Sequence, residues 1–353
     1  MSRHLPVPRP ARPLLRRGRD RVQIGLDPDR AVLVERLSDI ASSALLHLDG
    51  TTGRHEVLAL APELEAVLDE LDDRGLLEDD PGRFPGLSTV RRDRQALDIA
   101  GLAAAAASTP EALRVMARRA RSAVVVRGTD RAAAHVALGL AAAGVGVVAL
   151  QGPDRETTLA DLTPVGPYEP HTSWREQVAE AVRGQGAHPT AVGTRAKRPA
   201  VVVVCAAADV DLPWTDPELA DDLLADGIPH LPVAVTADAA RVGPLVVPGS
   251  TACLWCLDHR ARDRDAAWPA LADQIRLRHA TARAQSGVLA TVAAATAVAQ
   301  ALQLVDAPGA ATPVCLGAQV EFRAPDALGR VLPVTPHPAC GCGWDGGTRT
   351  MVG

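Results

Sequence analysis

Lysine is almost absent from this sequence: Lys197 is the only one among 353 residues, and arginine supplies the rest of the basic charge. Many nucleotide sites place a lysine against the phosphates, so this scarcity counts against a site of that kind. A surplus of positive charge is also lacking, since the formal net charge is -5. No global positive field therefore attracts nucleic acid or an anionic membrane.

A secretion signal is missing as well. The first 22 residues hold seven arginines, but no apolar segment follows them. The longest uncharged stretch, from Ala284 to Val305, is long enough to raise a transmembrane interpretation. It is mostly alanine with polar residues spread around it, so we expect a buried helix of a soluble domain. These features predict a cytoplasmic protein without a membrane partner.

The first 80 residues divide by composition. Residues 1–21 are rich in proline and arginine and predict a flexible basic arm. Residues 22–80 predict a small α+β domain of winged-helix type, with two short strands and a helix capped by Ser38. A further helix begins at Pro62. Its core face carries four apolar residues at helical spacing, which are Leu64, Val67, Leu68 and Leu71.

The rest of the chain changes character. Residues 81–118 predict a linker and a connecting helix, because proline, glycine and arginine dominate the beginning of this segment. Residues 119–345 alternate strand with helix, and their apolar runs are those of buried parallel strands. The predicted strands lie at 123–126, 147–150, 200–204 and 231–235. This alternation predicts an α/β fold with a doubly wound, mostly parallel Rossmann-like sheet.

Two cysteine pairs stand far apart in the sequence. Cys253 and Cys256 form a C-x-x-C, and Cys340 and Cys342 form a C-x-C. Each pair lies in a turn-prone segment, as four thiolates around tetrahedral zinc require, and four cysteine ligands leave no open position for substrate. We therefore predict a structural zinc site. Four unrelated thiols or two disulfides are the alternatives, although cysteines without a secretion signal favour metal binding.

A known family shares several of these segments. SAVVVRGTDRAAAHVALGLAAAGVGVVAL resembles the opening strand–helix–strand unit of the ThiF-type, ubiquitin-activating-enzyme-like superfamily. GPLVVPGSTACLWCLDH and HPACGCG resemble its two zinc motifs, so the resemblance covers about residues 120–345. It implies a protein that binds ATP and adenylates the C-terminal glycine of a ubiquitin-like or sulfur-carrier protein. It also implies a homodimer.

With the N-terminal domain included, the chain resembles more narrowly the ThiF-like partner proteins of azoline-forming cyclodehydratases. That resemblance implies a domain that grips the leader of a precursor peptide, while a separate YcaO-type enzyme performs the ATP-dependent chemistry. Residues 22–80 would accept an extended peptide as an added strand. A plain structural lobe remains the alternative for this domain.

The nucleotide site that the resemblance implies is degenerate. A dinucleotide-type phosphate loop needs glycines where the backbone approaches the phosphates. Only Gly128 remains, while Asp130 and Ala133 occupy the other two glycine positions. Gln151 replaces the acidic residue that holds the ribose. Asp209 lies one place from the expected metal-binding aspartate, so we expect ATP binding to be lost.

These observations predict a non-catalytic ThiF-like scaffold that binds a precursor or leader peptide and presents it to a partner modifying enzyme. A working adenylyltransferase is the first alternative, and the carboxylate of Asp130 argues against it. A winged-helix DNA reader is the second alternative. Its candidate recognition helix lies within residues 62–80, where nine acidic residues accompany Arg74 and would be repelled by a phosphate backbone.

Overall fold

The chain folds into two compact units, Met1–Ala117 and Arg118–Gly353. The structure is a computed structural model. It describes residues 6–8, 13–29, 31–49, 52–79, 87–106, 108–158, 161–163, 166–167, 169–189, 198–207, 217–277 and 285–343.

The first unit contains two small antiparallel sheets. Its strands are β1 (Pro6–Pro8), β2 (Leu14–Arg16), β3 (Arg21–Ile24), β4 (Val32–Glu35) and β5 (Leu77–Asp79). β1 pairs with β5, and β2, β3 and β4 form a three-stranded sheet in that order. The two strands predicted in residues 22–37 are confirmed as β3 and β4. β1 and β2 lie within residues 1–21, for which a flexible arm was predicted. That prediction is wrong, since β1 pairs with β5 and β2 with β3, and composition does not reveal such pairings.

The first unit also contains helices. They are α1 (Asp39–Leu46), α2 (Arg54–Leu60), a 3-10 turn (Pro62–Leu64), α3 (Glu65–Asp73), α4 (Thr89–Arg94), α5 (Ala96–Ala106) and α6 (Thr109–Arg121), whose last turn belongs to the second unit. Buried residues of α1, α2, the 3-10 turn and α3 form one hydrophobic core with Val22 and Ile24 of β3. Ser38 caps α1 as predicted, since its Oγ accepts the Ala41 N–H at 3.0 Å. Of the predicted stripe, Leu64, Leu68 and Leu71 are buried and Val67 is half-buried. The winged-helix classification of this unit stays a prediction.

A seven-stranded sheet forms the centre of the second unit. The strands of this unit are β6 (Ala123–Arg127), β7 (Val147–Gln151), β8 (Leu162–Thr163), β9 (Gly166–Pro167), β10 (Val201–Ala207), β11 (His230–Val235), β12 (Ala239–Val242), β13 (Ala318–Arg323) and β14 (Leu328–Pro333). The sheet order is β14-β13-β12-β11-β10-β6-β7. β7, β6, β10 and β11 are parallel, and β12 to β14 continue the sheet antiparallel.

Helices pack on both faces of this sheet, which confirms the doubly wound α/β prediction. The helices of this unit are α7 (Arg131–Ala142), α8 (Trp174–Gly184), α9 (Pro217–Ala225), α10 (Leu254–Arg264), α11 (Trp268–Leu277) and α12 (Gly287–Asp306). Residues of α7, α8 and α12 join the core on one face of the sheet, and α9 packs on the other. Neighbouring strand residues point to opposite faces. Val124 and Val203 accordingly join the core under α7 and α12, whereas Val125 and Val202 pack with Leu223 of α9.

The long apolar stretch predicted as a buried helix is α12. By length and composition alone it could cross a membrane, but core helices of soluble proteins meet the same criteria. Of its most apolar window, 56% is buried. Alanines along one side let it lie close to α7 and the sheet; they are Ala290, Ala293, Ala294, Ala297 and Ala301. The helix thus forms part of the core of the second unit.

Candidate functional site

The four predicted thiols lie together in the second unit. All four Sγ atoms lie within 4.8 Å of one another. The Sγ of Cys253 lies 3.9 Å from that of Cys256 and 3.5 Å from that of Cys340. The Sγ of Cys256 lies 3.3 Å from that of Cys342. Sulfur ligands of a tetrahedral zinc ion stand about 3.8 Å apart, given Zn–S bonds of about 2.3 Å. The cluster therefore fits a tetrahedral metal ion.

Helix α10 and the turn after β14 bring the two pairs together. Cys253 is the N-cap of α10 and Cys256 lies in its first turn. Cys340 and Cys342 flank Gly341 in the turn that follows β14. No disulfide joins any of the six cysteines. Apolar residues pack against the cluster, in which Cys253 and Cys256 are buried and Cys340 and Cys342 are half-buried. These apolar residues include Ala220, Val246, Ala252, Leu254, Leu257 and Val334.

His337 supports the thiol cluster, a role that the sequence did not reveal. Its backbone N–H lies 3.3 Å from the Sγ of Cys256, and its Nε2 lies 2.8 Å from Asp263. Hydrogen bonds from the Cys253 thiol and, further, from the His337 N–H lower the pKa of Cys256. These contacts favour the thiolate, which is the form that binds metal.

Gly128 lies in the turn between β6 and α7, where the phosphate loop is expected. Its φ of +136° is in the region that favours glycine. Its N–H donates to the backbone oxygen of Gln151 at 2.9 Å. A Cβ on Gly128 would lie 2.4 Å from the backbone oxygen of Cys205 in β10. The close approach of this turn to β10 therefore requires glycine whether or not a phosphate binds.

The carboxylate of Asp130 occupies the N-terminus of α7. Its Oδ1 accepts the N–H of Ala133 at 2.7 Å, and its Oδ2 lies 3.4 Å from the side-chain nitrogen of Gln285. Burial raises the pKa of Asp130, and the hydrogen bond from Ala133 opposes that rise. A helix N-terminus is where phosphate groups bind in related folds. Here the carboxylate of Asp130 already accepts a backbone N–H at that terminus, and Ala133 itself is fully buried.

Arg155 is a site residue that sequence reasoning missed. Its Nε donates to the backbone oxygen of Thr129 at 2.8 Å. Its Nη1 and Nη2 donate to the two carboxylate oxygens of Asp161 at 2.8 and 2.5 Å. The guanidinium carbon lies 5.9 Å from the ring centroid of Trp174. Arg155 therefore ties the loop after β7 to the turn before α7. In the sequence, the only indication of this role is that the arginine lies four residues after the end of β7.

The other predicted site residues are less informative. Gln151 ends β7 as expected and is half-buried. Asp209 and Lys197 lie outside the described residues. Cys205 is buried, and burial raises its pKa well above the ordinary value for a thiol. Burial also raises the pKa of Cys315, to about 12. Because the thiolate is the nucleophilic form, neither thiol is suited to nucleophilic catalysis.

In the first unit, β4 is an edge strand whose inward side is incompletely covered. Among the described strands it pairs with β3 alone. Val22 and Ile24 of β3 are fully buried, whereas their cross-strand partners Val34 and Val32 are only half-buried. A strand edge with partly uncovered apolar side chains is what an added peptide strand uses: main-chain hydrogen bonds give affinity and side-chain pockets give specificity.

Comparison with solved structures identifies the fold. Escherichia coli MccB bound to a form of MccA aligns with a TM-score of 0.59 at 15% identity, over 96% of this chain and 99% of that chain. E. coli MccB with ATP aligns with a TM-score of 0.58 at 15% identity over the same shares. PaaA aligns with a TM-score of 0.62 at 15% identity, over 92% of this chain and 99% of that chain. The sequence matches no defined protein family and no curated protein. The chain therefore has the fold of MccB and PaaA, which confirms the ThiF-like fold that its sequence motifs indicated.

Proposed function

We propose that this protein is a ThiF-like scaffold that binds a precursor peptide and presents it to a separate modifying enzyme, without adenylating a substrate itself. The observation that carries this proposal is the Asp130 carboxylate, 2.7 Å from the Ala133 N–H at the start of α7. A triphosphate would have to displace this buried carboxylate. To use Arg155 it would also have to break the bidentate pair with Asp161.

The energetic margin for such a displacement is small. Millimolar affinity corresponds to only about 4 kcal/mol of binding free energy. Burying or displacing a charged group costs several kcal/mol unless a new partner compensates. The two missing loop glycines, and Gln151 in place of the ribose ligand, remove the contacts that would offset that cost. We therefore assign no catalytic role to the degenerate nucleotide site.

Two observations support peptide binding. β4 offers a strand edge with partly uncovered valines in the first unit. MccB, a microcin C7 biosynthetic enzyme that shares this fold over 96% of the chain, has been solved in complex with N-formylated MccA. The proposed partner enzyme is of the YcaO type, acting in azoline formation, and the proposed metal is structural zinc. We also propose that the scaffold forms a homodimer in the cytoplasm.

Calorimetry with Mg-ATP tests the proposal that the protein does not adenylate a substrate. We expect no saturable binding below millimolar concentration and no pyrophosphate exchange, with MccB as the positive control. Asp130→Gly removes the competing carboxylate and is the matched variant, in which any residual ATP binding should become stronger. Micromolar binding of ATP by the unmodified protein would overturn the scaffold proposal and favour the adenylyltransferase instead.

A further inference from the structure

The three-stranded sheet of the first unit has a cavity beside its outer face. Successive residues of a strand point to opposite faces. Val22 and Ile24 of β3 point into the core, so Gln23 between them points outward, and so do its cross-strand partners Leu15 of β2 and Leu33 of β4. A cavity of about 440 Å³ lies beside Gln23 and Leu33. Residues of both strand ends and of the β3–β4 turn line it; they include Arg17, Gln23, Leu26, Ala31, Val32 and Leu33.

Arg17 is the one charged residue in the described lining of this cavity. It follows β2, and its Nη1 donates to the Oε1 of Gln23 at 3.0 Å, so the guanidinium reaches across to β3. The neighbouring Arg21 pairs with Glu35 on the same face at 3.3 Å. Arg17, by contrast, pairs with no carboxylate in the part of the chain that the structure describes. The cavity therefore combines a positive charge with no compensating negative charge.

The cavity extends from Arg17 to the edge strand β4. Val32 and Leu33, which also line it, belong to β4, where we propose that a peptide adds as a strand. A side chain that enters the cavity from such a strand therefore meets the guanidinium of Arg17. Leu26 and Leu33 leave apolar surface uncovered there, at 69% and 40% exposure. An ion pair that such surface partly shields from water is screened less than one in open solvent.

We propose that this cavity binds an aspartate or glutamate side chain of the peptide that docks along β4. This inference rests on the proposed function, and it names the chemical class of one peptide position. The carboxylate would accept hydrogen bonds from Arg17, which strengthen when both partners are charged. Leu26 and Leu33 would cover the methylene groups of the same side chain. A lysine or arginine at this position is disfavoured, because like charges across an interface suppress wrong partners.

The two kinds of contact have separate roles. Main-chain hydrogen bonds to β4 are indifferent to sequence and would supply most of the affinity, whereas a side-chain cavity supplies specificity. Removing the charge of Arg17 should therefore change which peptides bind more than whether peptides bind.

Selection from a displayed library of random peptides tests this inference on the full-length protein. Four immobilised proteins are compared: the parent, Arg17→Gln, Arg17→Lys and the control Arg16→Gln. Arg16 is exposed and adjacent in the chain, but it lies opposite Val22 on the other face of β2. Arg17→Gln and Arg16→Gln thus remove the same charge from opposite faces of one strand. Arg17 is itself exposed, so the substitutions should leave the sheet folded, and circular dichroism checks this.

We expect the parent and Arg16→Gln to enrich peptides that carry aspartate or glutamate among apolar residues. Arg17→Gln should lose this preference and bind the best acidic peptide about fivefold more weakly, as an ion pair of up to about 1 kcal/mol implies. Arg17→Lys should retain the preference, because it keeps the charge. The same peptide synthesised with glutamine or asparagine at its acidic position should lose about fivefold with the parent and almost nothing with Arg17→Gln.

Each other outcome is decisive. Enrichment of neutral or basic peptides by the parent overturns the carboxylate site but leaves peptide binding intact. Equal effects of Arg17→Gln and Arg16→Gln do the same, since they would reflect net charge and not the cavity. A parent that enriches no peptide at all overturns the peptide-binding proposal, and this inference with it.

Discussion

Arg119 and Asp306, 187 residues apart in the sequence, form a bidentate ion pair between the C-terminal turns of α6 and α12. The Nε–Oδ1 distance is 2.8 Å and the Nη2–Oδ2 distance is 2.6 Å. The side chain of Arg119 is 8% exposed and that of Asp306 is 20% exposed. Nη1 of Arg119 also donates to the backbone oxygen of Ala143 at 3.1 Å. One guanidinium therefore holds the ends of α6, α7 and α12 together.

Arg119→Met should lower the free energy of unfolding by about 3 kcal/mol, because it leaves the Asp306 carboxylate without its partner in a largely buried place. Chemical denaturation measures the loss. Arg114→Met on the same helix is the control: Arg114 pairs with Glu111, but both side chains are exposed, so the loss should stay below about 1 kcal/mol. Equal losses in the two variants would contradict a structural role for the buried pair.

Gly128→Ala should destabilise the second unit by about 3 kcal/mol or more. The added Cβ meets a backbone oxygen that cannot move cheaply, and the backbone angle is strained for alanine. Gly184→Ala is the control, since no atom lies within 4 Å of its Cβ position at the end of α8, and it should be neutral or slightly stabilising. Hydrogen exchange of the β6 and β10 amides measures both effects. A harmless Gly128→Ala would mean that the glycine is retained for another reason.

Purified protein should contain about one zinc ion per chain. Cys253→Ser and Cys342→Ser should each release it, because each removes one of four ligands. Cys315→Ala should retain the metal, since Cys315 lies outside the cluster. Elemental analysis of protein purified without chelator provides the measurement. Well-folded protein with almost no bound metal would rule out the proposed site.

Leu68→Asp should unfold the first unit, because it places an unpaired charge among fully buried side chains. We expect a loss of about 4 kcal/mol or more. The control Ala66→Asp introduces the same charged residue two positions earlier, at an exposed position of α3, and should have little effect. Hydrogen exchange of residues 21–77 distinguishes the two. Full protection in Leu68→Asp would show that the buried face of α3 is wrongly assigned.

Local patterns in the sequence predicted much of the fold. Apolar spacing found the buried stripe of α3, and continuous valine runs found the parallel strands. The close pairing of Cys253 with Cys256 and of Cys340 with Cys342 was enough to predict the thiol cluster. These signals are readable because each depends on neighbours within a few residues, where strand and helix periods fix which side chains share a face.

Contacts between segments that are far apart in the sequence could not be predicted from it. Composition gave no sign that β1 and β2 would pair with later strands, nor that Arg155 would fold back on Thr129. Asp258 lies in a segment of mixed charge, yet it is 2% exposed and accepts the indole N–H of Trp268 at 2.8 Å. A charged residue in a mixed-charge segment predicts exposure, and only the tertiary fold shows that α11 covers it.

The spacing of the cysteine pairs determines how a bound metal would act on the chain. Cys253 and Cys340 are 87 residues apart, and the intervening chain forms α10, α11, α12, β13 and β14. A metal held by both pairs closes this stretch into a ring. By polymer statistics, such closure removes unfolded-state entropy worth on the order of 4 kcal/mol. The ion would therefore restrain the unfolded ensemble, and it would keep β13 and β14 within reach of β12 whenever the sheet opens at that edge.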